Sequence, residues 1–497
     1  MMEPRHRTRQ PNIVFVQCDS MDGRPMGCMG HPAMARATPN LDALARRGVL
    51  FRNAYCNNPI CCPSRASMWS GQYTHHCEGW NNYKGLSASD PTFRTRLDEA
   101  GYLTQTFGKT DYLSGHHSIR ARVTPWTRSA NIYRPSYRMP GPRMLAENKV
   151  RVHERDWMDV DRSVLWLQER TRSNDGPFWL YLGIRAPHPG FWISQRYLDV
   201  IDESGVLLPP DDESDHPVMH YQRVAKNWMH GFSDAVVRQV RRVYFAMIAE
   251  VDAMVGQVLA AVEDLGLLES TYLIFSSDHG EMAMEHRQFY KMSMYEPSVR
   301  VPLLVAGPGV RQGAQVETPV SLVDIYPTLM DMAGIEHPEG LDGYSLVPEL
   351  TGQASDHPEW VISEFHGTTC NTGATVLRCG DWKYVAYAGY EPQLFNLKSD
   401  PDEVRNLAEI RPDVVKEMDD LLRQIFDYEE VDARAKAYDK QSFRQWRQEQ
   451  LVASTYWQTM ARVYSGWDHL SDDAIWPWTD KDEQLIDSWL AGPSAGG

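Results

Sequence analysis

Short apolar runs recur along the first two thirds of the chain, and several of them close on a polar or charged residue. Pro11 to Ser20 (PNIVFVQCDS) runs out at Asp19, TQTFGK at Lys109, Pro177 to Pro189 (PFWLYLGIRAPHP) at His188, and Thr271 to Glu281 (TYLIFSSDHGE) at Asp278 and His279; Val301 to Val310 (VPLLVAGPGV) completes the set. An unbroken apolar run of this length is the mark of a strand buried on both faces, and its last residue is carried to the carboxyl edge of a sheet, where α/β proteins bind ligands. Between the runs the period changes. TPNLDALARR sets Leu41, Leu44 and Ala45 on one helical face before a further strand, and Arg241 to Leu268 keeps helical spacing throughout, with a glycine near its end. Strands alternating with helices predict a parallel sheet covered on both faces, an α/β fold. After Trp360 the runs shorten and alternate around Gly and Asp-Pro turns, which predicts antiparallel strands. The boundary is expected between Gly352 and Glu364, so that residues 1–357 form the larger α/β domain and 358–497 an α+β domain with an antiparallel sheet. The charged, Trp-rich tail from Asp432 reads as helices packed back on the body.

Composition narrows the function. A chain of 497 residues with a net charge of -16 is no sequence-independent nucleic-acid binder, since phosphate attraction needs a basic surface. An anionic substrate must therefore meet a locally basic pocket. Eight cysteines in a chain this long do not make a disulfide framework. The N-terminus MMEPRHRTRQ has no apolar core of a secretory signal, no apolar run reaches membrane-spanning length and no Asn-x-Ser/Thr sequon occurs, so the expectation is a cytoplasmic protein without a membrane partner.

Candidate chemistry centres on Asn58 to Gly71, NPICCPSRASMWSG. Pro63 suits a first helical turn and Gly71 a helix stop, which places Cys61 at a helix N-terminus. Free N–H groups and the helix dipole there favour an anion and are expected to lower a thiol pKa. Asp19, Lys109, His188, Asp278 and His279, one strand end after another, converge with this cysteine on one edge.

The pattern Cys-x-Pro-Ser-Arg from Cys61 to Arg65 resembles the signature of the type I sulfatases, whose cysteine is oxidised after synthesis to formylglycine. The likeness extends through CDSMDGR, WNNYKGL, FGKTDYLSGHHS, RVHERDW, SSDHGEMAMEHRQFYKMSMYE, SLVDIYPTLMDMAGI and ISEFHG, and is similar to a branch of that family acting on 2-sulfated glucuronate of glycosaminoglycans. It implies an alkaline-phosphatase-like α/β domain followed by a small-sheet domain. It also implies that Asp19, modified Cys61, Asp278 and His279 hold a divalent metal, that Lys109, His216 and Lys291 hold the sulfate and leaving group, and that Arg65 orients the formylglycine. Asp111, where many sulfatases have a histidine, and His117 are further pocket candidates. Ser20 stands where most members have a second Asp, and His279 where they have Asn or Gln. Calcium is the implied ion, although two carboxylates and an imidazole also suit manganese or zinc. The implied partners are a small sulfated saccharide and a formylglycine-generating enzyme.

On this reading, hydrated formylglycine attacks sulfur with one hydroxyl and expels sulfate with the other, while His216, or alternatively His188, protonates the leaving alcohol. Glu285, His286 and Arg287 could read a substrate carboxylate or form a solvated loop, and His75, His76 and His116 could line the pocket. Two rival functions share these residues: a phosphonate monoester or phosphate diester hydrolase, and a silent binding protein for sulfated sugars.

Overall fold

The computed structural model describes residues 10–132, 143–145, 148–173, 176–210, 214, 216–226, 232–464 and 478–492. The apolar runs form the middle of its larger sheet. In chain order the strands are β1 (Asn12–Asp19), β2 (Val49–Tyr55), β3 (Leu103–Gly108), β4 (Arg143–Leu145), β5 (Phe178–Pro187), β6 (Trp192–Ser194), β7 (Thr271–Ser277), β8 (Arg300–Ala306), β9 (Ala314–Val316) and β10 (Val320–Ser321). The small sheet adds β11 (Trp360–Phe365), β12 (Ala374–Cys379), β13 (Trp382–Tyr387) and β14 (Tyr390–Asn396). The large sheet runs β10-β2-β8-β7-β1-β5-β3, with β9 beside β2. β7, β1, β5 and β3 are parallel neighbours, so their carboxyl ends lie side by side. β8 departs from the expected parallel sheet. It runs antiparallel to both β7 and β2, because the segment between β7 and β8 is spent on a site loop instead of a crossover helix.

Alternation along β1 divides the core in two. Val14, Val16 and Cys18 face the layer built on the helix Asp234–Asp264, while Ile13 and Phe15 face the layer containing Trp69 of the helix Cys61–Ser70. The helix Asp234–Asp264 corrects the reading that no apolar segment reaches membrane-spanning length. It is long and apolar enough to cross a bilayer, but most of it is buried against the sheet, which explains its composition as that of a core helix.

The small sheet is the expected antiparallel meander, β11-β12-β13-β14, beginning at Trp360. Val361, Val376, Val385 and Phe395 on one face join the core of the large sheet, so the two sheets share one apolar interior. The opposite face, with Ile362, Leu377 and Leu394, packs on Val414, Met418 and Leu422 of the helix Pro412–Ile425. The described part of the tail packs on the body: Phe443 and Trp446 of the helix Tyr428–Val452 meet Val123 and Trp126 of the helix Ile119–Trp126.

Candidate active site

The parallel edge delivers its terminal residues to one place. Asp19 ends β1, Asp278 and His279 follow β7, His188 follows β5 and Lys109 follows β3. Two glycines permit the last approach. Gly108 and Gly183 are paired across β3 and β5, and a Cβ on Gly183 would lie 1.9 Å from the Lys109 carbonyl oxygen. From the other side the helix Cys61–Ser70 presents its first residue, and Gly71 closes it in the left-handed conformation at φ 71°.

Ligand atoms of Asp19, Cys61, Asp278 and His279 lie within 4.8 Å of one another, all buried, and this is the only such metal-capable group among the described residues. The Cys61 Sγ, which stands where the hydroxyls of an oxidised, hydrated side chain would sit, is 3.3 Å from His279 Nε2 and 3.9 Å from Asp19 Oδ1. His279 Nδ1 donates to the Gly280 carbonyl at 3.0 Å, because a carbonyl can only accept. Nε2 is thereby left with its lone pair towards Asp19 and Asp278, at 3.6 and 3.7 Å, as a metal-binding imidazole requires. Asp278 is anchored from behind: Arg65 Nε donates to Oδ2 at 2.7 Å, and the amides of Ser20 and His279 donate to Oδ1. The donor set fits a divalent cation.

Cations surround this group. Lys109 Nζ donates to Asp19 Oδ2 and lies 3.2 Å from Asp111 Oδ2. Burial opposes the ionisation of Asp19, but Lys109, His188, Lys291 and His279 outweigh it and hold the carboxyl well below its usual range. Asp111 is likewise brought down to about 2 against burial, by Lys109 and then by His117, whose Nε2 is 2.8 Å from it. Lys291 Nζ donates to the Ser20 hydroxyl at 3.3 Å, and that hydroxyl donates to Asp19 Oδ1 at 3.1 Å. Ser20, left-handed at φ 65°, therefore links Lys291 to Asp19 at the place where the wider family pattern has a second carboxylate.

Some expectations change. The thiol of Cys61 is pushed up, not down: burial and then Asp19 outweigh Lys109 and Lys291. Arg65 spends its guanidinium on Asp278, on the Tyr181 hydroxyl at 2.7 Å and on the Lys109 carbonyl at 3.0 Å. These bonds hold Asp278 and the strand ends, and none of them goes to Cys61. His216 is not brought to the cluster. Its Nε2 donates to the Glu391 carbonyl at 2.7 Å and its ring packs 4.5 Å from that of Tyr387, in a separate cavity beside the small sheet. The reason is geometric: His216 precedes the helix Pro217–Lys226, whose other end, Lys226, reaches the cavity holding Cys61.

His188 does line that cavity. Burial, followed by Lys291, lowers its pKa to about 3, so its ring is neutral in the unliganded protein, and Nδ1 donates to the Pro189 carbonyl at 2.6 Å. Glu285 is bound by Arg24 at 2.9 Å and Arg241 at 3.2 Å, His286 stacks on Tyr295 at 3.6 Å, and Arg287 faces Asp234 at 3.4 Å. These three belong to the loop that carries Lys291, and none of them lines the cavity over Cys61. His75 and His76 are paired with Glu364 and Asp342, leaving His117 as the cavity histidine of that set.

The cavity over Cys61, about 410 Å³, is lined by Lys109, His117, Arg120, His188, Lys226 and Lys291, among others. Arg120 and Lys226 were missed in the sequence. Lys226 had a signal: Met219, Gln222 and Lys226 fall on one face of their helix, and all three are buried.

A basic pocket over a buried metal-capable cluster, at the carboxyl edge of an alkaline-phosphatase-like sheet, is the architecture of a sulfuric ester hydrolase. The family model for sulfatase matches residues 11–335 and that for N-sulphoglucosamine sulphohydrolase, C-terminal, residues 284–428; the chain belongs to the sulfatase family. It is 42% identical to arylsulfatase K of Homo sapiens, over 98% of this chain and 94% of that protein. Two solved structures share the fold: a phosphonate monoester hydrolase of Agrobacterium radiobacter (TM-score 0.69, 24% identity, 86% of this chain and 96% of that one) and a 2-O GAG sulfatase (TM-score 0.68, 24% identity, 86% and 94%).

Proposed function

We propose that this sulfatase removes the 2-O-sulfate of a uronate residue in a small glycosaminoglycan-derived saccharide, after a formylglycine-generating enzyme has oxidised Cys61. The observation that carries the reading is the meeting of Cys61 with Asp19, Asp278 and His279 beneath a pocket lined by Lys109 and Lys291. The preference for a 2-sulfated uronate is supported by the near full-length similarity to arylsulfatase K.

Asp19, Asp278, His279 and the oxidised side chain at position 61 would hold a calcium ion. Such an ion supplies Lewis-acid polarisation, and hydrated formylglycine supplies an oxygen nucleophile with a second hydroxyl for product release. The remaining work falls to the chain. Lys109 and Lys291 offset the charge that grows on the sulfate oxygens, and the burial of Lys291 and partial burial of Lys109 make each charge count for more than it would in water. Asp111 is a second carboxylate on the Lys109 ammonium, and His117 is paired with Asp111 in turn. His188 is the leaving-group acid in place of His216. A bound sulfate ester brings negative charge beside it, offsets Lys291 and raises its proton affinity when a proton is needed.

The test is a panel of defined sulfated disaccharides and an aryl phosphate diester, assayed with protein whose Cys61 peptide has been weighed and whose bound metal has been measured. Preferred release of 2-O-sulfate by converted, calcium-loaded protein is expected. Faster phosphate-diester turnover would favour the phosphonate hydrolase reading, manganese or zinc would replace calcium, and unconverted Cys61 with tight sugar binding would favour the silent binder.

A further inference from the structure

We propose that a second cavity, of about 480 Å³ on the far side of His188, is a sugar subsite that holds the pyranose joined to the sulfated ring by stacking it on Trp192. The inference rests on the saccharide reading above. This cavity is lined by Asp19, His153, Arg155, Arg185 and Trp192, and shares Lys109, His188 and Pro189 with the cavity over Cys61. A ligand with its sulfate above Cys61 thus has its next ring on the other side of a common wall. Arg155 and Arg185 line it as well, and Arg185 is held in place by Asp156 and Asp159 at 3.0 Å.

Trp192 is unlike an incidental surface aromatic because it is both exposed, at 45%, and fixed. Its indole N–H donates to His153 Nε2 at 2.8 Å. An indole only donates, so Nε2 must accept and the histidine proton sits on Nδ1, which donates to Glu250 Oε2 at 2.6 Å. Glu250 lies wholly buried in the core helix Asp234–Asp264, and its other oxygen accepts from the Val152 and His153 amides and the Trp157 indole. On the strand side, Ile193 is fully buried and the Ser194 hydroxyl donates to the Lys149 carbonyl. With its N–H satisfied, the indole has its apolar face to offer. A rigid aromatic face matches the C–H face of a pyranose and loses little entropy on binding. Binding energy gathered there can be used in turnover at the sulfate.

The experiment compares kcat/KM of the full-length converted enzyme for a 2-sulfated uronate monosaccharide and for a disaccharide carrying the same sulfated ring. Trp192→Ala should cut disaccharide turnover about tenfold and leave the monosaccharide within about twofold, while Trp192→Phe keeps most of the preference. Equal loss on both substrates, or loss on neither, overturns the subsite. Should Trp192→Ala not fold, saturation-transfer NMR on Cys61→Ala with the disaccharide replaces it: transfer to protons of the second ring supports the proposal, and transfer to the sulfated ring alone overturns it. Wild-type protein that releases sulfate from no saccharide refutes the uronate reading and the subsite together. Wild-type turnover with a preference unmoved by Trp192→Ala refutes the subsite alone.

Discussion

Replacing Arg65 by methionine tests whether the strand ends are held as the geometry says. Arg65 and Asp278 are both fully buried, and the guanidinium also donates to Gln17 Oε1 at 3.3 Å and to the Cys18 carbonyl at 3.4 Å. It therefore ties the ends of β1, β3 and β7 beneath the site. Methionine roughly fills the volume, so the cavity contribution is small, but Asp278 Oδ2 loses its cation and two buried carbonyls each lose a donor. Removing one partner of a buried ion pair costs about 3–5 kcal/mol. Because Oδ1 keeps the amides of Ser20 and His279, the lower end of that range, about 3 kcal/mol, is expected. That is a large share of the roughly 5–15 kcal/mol that holds most folded proteins together. The assay is urea denaturation followed by tryptophan fluorescence, in excess chelator so that no bound cation stands in for the guanidinium. Arg65→Lys should rescue little, since an ammonium cannot span Asp278, Tyr181 and two carbonyls at once. A loss below about 1 kcal/mol for Arg65→Met, or full rescue by lysine, would refute this account of the site's foundation.

Three further outcomes are expected. Cys61→Ala should lower kcat by several orders of magnitude at nearly unchanged stability, whereas Cys62→Ala, which removes a buried thiol facing the Leu113 carbonyl, should cost about 1 kcal/mol of stability and little rate. Asp19→Ala should weaken divalent-cation binding by on the order of 100-fold or more, read by calorimetry, because it removes one of two carboxylates from the metal-capable group. Asp252, buried where it accepts from the Asn40 and Leu41 amides, is pushed by burial from 3.8 up to about 7; its contribution to stability is then present below pH 3.8 and lost as pH rises towards 7. Asp252→Asn should flatten that part of the urea-midpoint profile, a slope of at most about 1.4 kcal/mol per pH unit.

The metal-capable cluster was legible because a buried parallel strand announces itself by an apolar run, and the run's last residue must stand at the ligand edge. That logic found Asp19, Lys109, His188, Asp278 and His279 without knowledge of strand order. It could not find the direction of β8, which depends on how the chain between Asp278 and Arg300 is used. Nor could it settle His216, whose motif lies in sequence beside residues that reach the cavity while its helix points the other end inward. The thiol pKa was misjudged for a related reason: helix position is local and visible, whereas burial against Asp19 is set by a strand 42 residues earlier.

Charge gives the last step. The chain carries a net -16, yet Lys109, Arg120, Lys226 and Lys291 line the cavity over Cys61. Attraction for an anion is therefore strong inside the pocket and falls away outside it, where a long polyanion would run over an acidic surface at separations near the Debye length of about 8 Å. A sulfate on a terminal ring can enter the pocket with one neighbour to place, while an internal ring must bring chain in both directions. Terminal 2-O-sulfates should be released faster than internal ones, and raising the salt should narrow the difference by screening the surface repulsion. Equal rates on terminal and internal sulfates of a long chain at low salt would show that the acidic surface does not discriminate, and the exo-acting reading would fall.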